Sequence, residues 1–190
     1  MDTTNKIRCN WPKDDALYIE YHDKEWGVPV YEDAKIFEFL LLETFQAGLS
    51  WITILKKAEG YYEAFDGLDP DKMGLYEEEK IQELILNPAI VRNKLKIRAA
   101  VTNAQAFHQI VKEKGSFSNY LWSFVNGKVI KNTIQDRSGA IANSPESYAM
   151  SKDLKRRGFK FVGSTICYAF MQAVGMVNDH AIDCFRYEEV

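Results

Sequence analysis

The sequence has few cysteines and no long apolar run, and these two absences narrow what the protein can be. Three cysteines in 190 residues are too few for a disulfide scaffold, and their odd number favours a reducing compartment. No apolar run reaches the roughly 18 residues of a membrane span, and the first residues lack the apolar segment of a secretory signal. We therefore expect a cytoplasmic protein that does not enter a membrane.

The sequence also has no excess of positive over negative charge. The net charge of −3 argues against a protein that binds nucleic acid over its whole surface. A local basic face stays possible, because net charge is a sum whereas binding uses a patch. The length of 190 residues predicts one domain, with or without two lobes.

The apolar pattern predicts a mainly α-helical protein, because no stretch alternates with a period of two. Residues 33–47 are apolar on almost every side, which predicts a buried helix that ends at Gly48. The other predicted helices are 51–58, 76–86, 94–112, 116–125, 163–174 and a basic helix from Ser151 to Gly158. Residues 127–147 are polar and predict the longest loop.

Four of the six cysteine and histidine residues lie near the two ends of the chain. Cys9 and His22 are close to the start, and His180 and Cys184 are close to the end. Thiolate and neutral imidazole suit tetrahedral zinc, and four protein ligands leave no open position, so such a metal would be structural and would join the two termini. His180 and Cys184 would face the same side if their segment is helical. In the alternative interpretation His22 is a hydrogen-bonded core histidine and the cysteines are apolar fillers.

One carboxylate lies on an apolar face of the predicted buried helix. On a helical wheel Glu43 falls close to Ile36 and between Phe39 and Leu40. A buried carboxylate needs a donor, a cation or a shifted pKa. Glu43 is therefore either a structural acid bonded to a backbone amide or a tyrosine, or an acid within a binding site.

Aromatic residues flank this helix on both sides in the sequence. Tyr18, Tyr21 and Trp26 precede it, and Trp51 follows it. If these segments converge on Glu43, they form an aromatic box that suits a flat, electron-poor or cationic ligand, such as an extruded nucleobase. Taken singly, each aromatic is equally consistent with a core position.

Two basic runs are notable in an acidic protein. The first places Arg92, Lys94, Lys96 and Arg98 around a turn between two predicted helices, and the second covers residues 152–160. Backbone amides at the start of a helix can bind an anion. The two runs together favour contact with a phosphate backbone, although one run alone is typical of a solvated helix face.

Several long motifs extend from about Arg8 to Cys184. They are R-C-N-W, Y-I-E-Y-H-D-K-E-W-G-V-P, L-E-T-F-Q-A-G-L-S-W-I-T-I-L-K-K, L-W-S-F-V-N-G, L-K-R-R-G-F-K-F-V-G-S-T-I-C-Y-A-F-M-Q-A and G-M-V-N-D-H-A-I-D-C. Together they resemble the DNA-3-methyladenine glycosylase I family. The resemblance implies a mainly α, helix-hairpin-helix DNA glycosylase fold in one domain, residues 1–190, with two helical lobes and a base pocket between them.

The resemblance also implies roles for individual residues. One structural zinc ion per chain would join the N- and C-terminal segments through Cys9, His22, His180 and Cys184. Glu43 would be the catalytic carboxylate of the base pocket, where it would accept hydrogen bonds from the adenine edge and either stabilise positive charge on the sugar or orient water. The base-binding aromatics would be Trp11, Tyr18, Tyr21, Trp26 and Trp51, and the hairpin contacts to DNA would be Arg92, Asn93, Lys94 and Lys96. We further predict that Leu49 inserts into the gap left by the flipped base.

These roles predict a DNA repair enzyme that acts on double-stranded DNA with alkylated bases. It would flip out 3-methyladenine and hydrolyse its N-glycosidic bond, giving the free base and an abasic site. A cationic base is a good leaving group, so a second carboxylate is not needed, and no lysine nucleophile or lyase activity is indicated. We expect a monomer without an obligate protein partner. The alternatives are a hydrolase of free nucleosides and a non-catalytic zinc-containing module that binds DNA or a partner helix.

Overall fold

A computed structural model describes residues 6–135 and 141–190. Within these ranges the chain is mainly helical, with one two-stranded sheet, which confirms the predicted class. The α-helices are α1 (Ala16–Lys24), α2 (Asp33–Gln46), α3 (Trp51–Leu55), α4 (Ala58–Ala64), α5 (Pro70–Met73), α6 (Glu78–Leu86), α7 (Lys94–Lys114), α8 (Phe117–Trp122), α9 (Pro145–Arg156) and α10 (Ser164–Ala173). The strands are β1 (Ile130–Lys131) and β2 (Val177–Asn178), and 3₁₀ turns cover Asp66–Leu68 and Ser123–Val125.

Helix α2 lies at the centre of the core, as its all-round apolar sequence predicts. Helices α3, α7, α8 and α10 pack against it, and Ile36, Phe37 and Leu40 are at most 1% exposed. The helix ends at Gln46, and Gly48 follows with a φ of 76°, a value that glycine adopts without strain. The burial of α2 on all sides places Glu43 in the interior.

Several helices differ from their predicted bounds or were not predicted. Helix α3 ends at Leu55 and not at residue 58, and α1, α4 and α5 were not predicted. Helix α9 starts at Pro145 and not at Ser151, because Ser144 forms a capping box with Ser147 and proline suits the first helical position. Ser151 lies inside α9, where its hydroxyl donates to the carbonyl of Val162. Helix α1 has a mixed polar and aromatic sequence and gave no clear apolar period.

The predicted long loop, residues 127–147, is only partly a loop. It contains β1 and the start of α9, and residues 136–140 within it lie outside the described residues. Strand β1 pairs in parallel with β2, with Ile130 opposite Val177. This small sheet was not predicted, because two residues are too few to show a period of two.

The connection between α6 and α7, residues 87–93, overlaps the stretch around 90–96 that the resemblance implies as the DNA-binding hairpin, and we call this connection the hairpin. Asn93 caps α7 by accepting hydrogen bonds from the amides of Leu95 and Lys96. A side chain at Gly60 would lie only 2.7 Å from the carbonyl oxygen of Ala89, so the hairpin packs tightly against α4. The first basic run is therefore presented at the start of α7.

The two terminal segments meet on one side of the molecule. The amide of Phe185 donates to the carbonyl of Ile7 at 2.9 Å. The side chain of Asn178 donates to the carbonyls of Tyr187 and Val190, which fixes the C-terminal segment against β2. Across 6–135 and 141–190 we find no helix with the length and apolarity needed to cross a membrane.

Candidate functional site

An open cavity of about 250 Å³ lies between α1, α2, α3 and α10. It contains every pocket residue named from the sequence and three that were missed. The lining residues are Trp11, Tyr18, Tyr21, Trp26, Glu43, Gln46, Trp51, Ala169 and Gln172. Gln46 could have been found, because it lies three positions after Glu43 on the same helix face. Ala169 and Gln172 are brought in by the packing of α10 on α2, which the sequence pattern does not show.

Glu43 is the buried acid of this cavity. It is 4% exposed, and among the described residues burial alone, with no hydrogen bond to the carboxyl, shifts its pKa. Burial raises its pKa to about 8, from an ordinary value of 4.5. In the empty cavity at neutral pH the group is therefore mostly a neutral acid, and a cationic ligand beside it would favour the carboxylate.

The aromatic walls consist of edge-to-face pairs around Trp11 and a tilted pair of Tyr21 and Trp51. The ring of Trp11 lies 5.3 Å from Tyr18 and 5.2 Å from Trp26, and Tyr21 lies 5.3 Å from Trp51. The hydroxyl of Tyr18 accepts a hydrogen bond from the amide of Ile52 at 2.9 Å, which ties α1 to the start of α3. Such walls offer π faces to a flat ligand and attract a cation.

The indole N–H groups of Trp11 and Trp51 are buried and have no hydrogen-bond partner within the described part of the chain. Tyr21 has a pKa well above its ordinary value, first because it is buried and second because it faces Glu43. The phenol therefore stays protonated and can donate. A cavity that combines π faces, a phenol donor and one acid can bind a planar, hydrogen-bonding ring.

The four predicted metal ligands also come together. Cys9, His22, His180 and Cys184 are all buried, and their ligand atoms lie within 4.8 Å of one another. The Sγ atom of Cys184 is 3.4 Å from Nε2 of His22 and 3.5 Å from Nδ1 of His180, and Sγ of Cys9 is 3.7 Å from the same Nδ1. This cluster can hold a metal ion.

Both histidines of the cluster are oriented by their other nitrogen. Nδ1 of His22 lies 2.8 Å from the carboxylate of Asp23, which also binds Arg8. Nε2 of His180 lies 3.1 Å from the carbonyl oxygen of Trp26. Such partners fix the tautomer of a metal-binding histidine. The link through Trp26 also joins the cluster to the wall of the cavity.

The chemistry of Cys184 suits a metal ligand. Its pKa is lowered, mainly by a hydrogen bond with Cys9 and also by the two histidines, although burial acts in the opposite direction. The thiolate is the form that binds metals. Residues 181–184 form a turn and not the helix that the four-residue spacing allowed, and the amide of Cys184 donates to the carbonyl of Ala181.

The residues predicted to contact DNA divide into an exposed group and a buried one. Arg92, Asn93 and Lys94 are exposed at the hairpin, and Leu49 is 37% exposed on the turn after α2. Lys96 is 6% exposed, and its ammonium donates to the carbonyls of Phe45 and Ala47. A direct phosphate contact therefore does not fit Lys96.

The remaining arginines of the two basic runs are ion-paired. Arg98 forms a two-point pair with Glu78. In the second run, Arg157 binds both Glu113 and Asp153. These arginines therefore link neighbouring helices. Within the part of the chain that the structure describes, the exposed lysines of the second run, Lys152, Lys155 and Lys160, form no ion pair.

Comparison with known proteins shows the family to which this helical fold and its cavity belong. The family model described as methyladenine glycosylase matches residues 11–187. The chain belongs to the methyladenine glycosylase family, a family of hydrolases of N-glycosyl bonds. This confirms the resemblance and the enzyme class predicted from the sequence.

Similar proteins cover nearly the whole chain. The DNA-3-methyladenine glycosylase 1 of Escherichia coli K12 is 47% identical over 180 residues, which are 95% of this chain and 96% of that protein. The DNA-3-methyladenine glycosylase of Haemophilus influenzae is 46% identical over 93% of this chain and 96% of its own length.

Solved structures give the same result. A crystal structure of 3-methyladenine DNA glycosylase I has a TM-score of 0.92 at 46% identity and covers 94% of this chain and 98% of its own. The enzyme from Staphylococcus aureus, solved to explain 3-methyladenine recognition, has a TM-score of 0.90 at 40% identity and covers 94% of this chain and 95% of its own. A tyrosine-to-phenylalanine variant in complex with 3-methyladenine has a TM-score of 0.91 at 39% identity, covering 94% and 96%.

Proposed function

We propose that this protein removes 3-methyladenine from alkylated double-stranded DNA by hydrolysing the N-glycosidic bond, giving the free base and an abasic site. The observation that carries the proposal is Glu43, a buried acid without a donor among the described residues, in a cavity walled by aromatic rings. Relatives 46–47% identical have this activity as their name, and similar solved structures contain 3-methyladenine.

The chemistry of the lesion fits the groups in the cavity. Within DNA, 3-methyladenine carries a positive charge, so its bond to the sugar is already weakened and the base leaves as a neutral molecule. The π faces of Tyr18, Tyr21 and Trp51 attract and hold the cationic ring. Glu43 accepts hydrogen bonds from the amino edge of the base, and the approaching cation favours its carboxylate form.

As the bond breaks, positive charge moves from the base to the sugar. The carboxylate of Glu43 is the charged group of the cavity that can stabilise this sugar cation while water adds. Among the described residues that line the cavity there is no lysine to form a covalent intermediate with the sugar. We therefore propose hydrolysis without lyase activity.

For DNA binding we propose a helix-hairpin-helix mode. Helix α6, residues 87–93 and helix α7 form the hairpin, and its exposed Arg92 and Lys94 would contact the phosphate backbone. The lesion would leave the base stack because a methylated base pairs poorly. Leu49, on the turn next to the cavity, would fill the gap.

For the cysteine and histidine cluster we propose one structural zinc ion. Zinc–sulfur bonds near 2.3 Å and zinc–nitrogen bonds near 2.0–2.1 Å place neighbouring S and N ligands about 3.6 Å apart in a tetrahedron. Three of the four S–N separations in the cluster, 3.4, 3.5 and 3.7 Å, fit this value. When bound, the ion would supply folding free energy by joining the two terminal segments, and the four protein ligands would occupy every position.

The decisive experiment compares base release from two substrates. Alkylated duplex DNA and the free 3-methyladenine deoxynucleoside are incubated with the purified protein, and free base is separated by chromatography. We expect rapid release from the duplex and little from the nucleoside. Equal release from the nucleoside would favour a nucleoside hydrolase, and tight DNA binding without any release would favour a non-catalytic binding module. The single domain, the monomeric state and the cytoplasmic location remain predictions from the sequence.

A further inference from the structure

Lys96 occupies an unusual position for a lysine in a basic run. Its side chain is buried, and Nζ lies 2.8 Å from the carbonyl oxygen of Phe45 and 2.5 Å from that of Ala47. These carbonyls are at the C-terminal end of α2, where the last carbonyls of a helix lack partners and carry partial negative charge. The ammonium therefore replaces the missing donors at the end of the helix.

The end of α2 is also the place where the base cavity is built. Glu43 lies one turn before Ala47 on α2, and Trp51 begins α3 four residues after it. Between them Gly48 turns the chain with a φ of 76°, and the carbonyl of Leu49 accepts a hydrogen bond from the side chain of Gln46. By binding the carbonyl of Ala47, Lys96 fixes the point from which the chain turns towards Leu49 and Trp51.

The backbone of Lys96 belongs to the hairpin side of the molecule. It lies in the first turn of α7, and its amide donates to the cap residue Asn93. A second lysine, Lys57, donates to the carbonyls of Pro88 and Ala89 at 3.1 and 3.2 Å and holds the other side of the hairpin. Both lysines thus bind backbone carbonyls and link the hairpin to the segments around the cavity.

Aromatic packing strengthens the same connection. The hydroxyl of Tyr61 accepts a hydrogen bond from the hairpin amide of Val91, and the ring of Tyr61 stacks on Phe45 with centroids 4.4 Å apart. Phe45 is one of the two residues whose carbonyl binds Lys96. The hairpin and the end of the acid-bearing helix therefore form one connected unit with few ways to move separately.

We propose that Lys96 is a positioning residue that couples the docking of the hairpin on DNA to the geometry of the base cavity, by fixing the turn at residues 47–50. The inference rests on the proposed function. It assigns Lys96 no phosphate contact. Replacing Lys96 should therefore lower the rate of base release without changing the electrostatic part of the affinity for DNA. Its neighbour Lys94, two residues earlier and exposed, should show the opposite behaviour.

The test compares Lys96→Met with Lys94→Met, and Lys112→Met at the far end of α7 is the control. Methionine keeps most of the length of lysine but cannot donate. We measure single-turnover base release from a duplex with one 3-methyladenine, and the salt dependence of binding to undamaged duplex. For Lys96→Met we expect a maximal rate lowered about 10–100-fold and a salt slope equal to wild type. For Lys94→Met we expect weaker binding and a slope reduced by about one unit.

A reduced salt slope for Lys96→Met, equal to that of Lys94→Met, would overturn the proposal in favour of a phosphate contact. A wild-type maximal rate for a folded Lys96→Met would overturn it as well. If Lys96→Met does not fold, as judged by circular dichroism, Lys96→Gln is measured instead. Its single, shorter donor should give a smaller loss of rate with a wild-type salt slope, and a reduced salt slope would overturn the proposal. Failure of the wild type to release base would instead overturn the proposed function itself.

Discussion

Two buried polar regions lie side by side in this molecule and differ in how far their polar atoms are satisfied. In the cluster of Cys9, His22, His180 and Cys184 the ligand atoms face one another, and the outer nitrogens of both histidines have partners. In the cavity, Glu43 has no donor among the described residues, and two buried indole N–H groups have no partner there either. The first arrangement is typical of a structural metal centre, and the second is typical of a ligand-binding site.

The two regions also have opposite effects on the stability of the fold. Unpartnered polar groups in the interior are unfavourable, so they persist where a ligand uses them. A closed cluster adds stability once its metal is bound. The carbonyl of Trp26 joins the two, because Trp26 lines the cavity while its backbone orients His180.

The largest effect should follow removal of a cluster ligand. Cys184→Ala would leave three ligands and an exposed metal position, and we expect loss of the metal and a fall in Tm of about 10 °C or more. Cys167→Ala is the matched control, because Cys167 is equally buried but lies outside the cluster. It should keep the metal and lose only a few degrees. The metal content and the Tm of both variants and the wild type are measured. A wild type that keeps its full stability without metal would contradict the zinc proposal.

The second prediction concerns the acid of the cavity. Glu43→Gln keeps the shape of the side chain but cannot become a carboxylate, so we expect the maximal rate of base release to fall roughly 100-fold or more. Glu38→Gln makes the same change on the same helix, at an acid that binds Lys35 and Tyr62 outside the cavity. We expect this control to keep nearly full activity. Equal activity in the two variants would reduce Glu43 to a structural role.

A third prediction uses pH to separate the two regions. The folded protein holds a proton on Glu43 up to a pKa of about 8, whereas the unfolded chain loses it near the ordinary value of 4.5. Between these values the folded state binds more protons, so this group lowers the free energy of unfolding as pH rises. Glu43→Gln removes this contribution. We expect the variant to gain a few kcal/mol relative to the wild type between pH 5 and pH 8, since one pKa unit corresponds to about 1.4 kcal/mol.

Denaturant unfolding of both proteins at several pH values measures this difference directly. Groups of the metal cluster titrate equally in the wild type and the variant, so the difference isolates Glu43. A stability difference that does not change with pH would show that the carboxyl of Glu43 is ionised in the empty cavity.

The smallest expected effect lies at the surface. Arg92 is exposed beside the hairpin, and Arg92→Ala should weaken binding to any duplex and reduce the slope of log K against log salt concentration by about one. Base release at saturating DNA should change much less than in Glu43→Gln. A salt slope equal to that of the wild type would show that the hairpin approaches DNA through other groups.

The residues with unusual chemistry could be predicted from the sequence, and those with ordinary chemistry could not. Glu43 was identified because a carboxylate on an apolar face conflicts with its surroundings, and the four cluster residues because thiols and imidazoles are rare in this chain. Gln172 is a common residue that enters the cavity only through the packing of α10, where its side chain is held by Asp179 at 2.7 Å.

Lys96 shows the opposite failure. A run of basic residues predicts exposed side chains, and the sequence does not show that the side chain of Lys96 is buried. The carbonyls that hold it are about fifty positions away and belong to another helix. Every residue has a backbone carbonyl, so the sequence cannot indicate which carbonyl binds a lysine. This contact is found only from the three-dimensional positions of the end of α2 and the start of α7.

The joining of the two ends has a consequence for the order of events during synthesis. Cys184 follows its cluster partner His22 by 162 positions. At roughly 5–20 residues per second, about 8–30 s separate the synthesis of the two halves of the cluster. A chain interrupted before Cys184 lacks one or two of the four ligands and cannot close it. The cluster therefore cannot form until synthesis has reached Cys184, near the end of the chain.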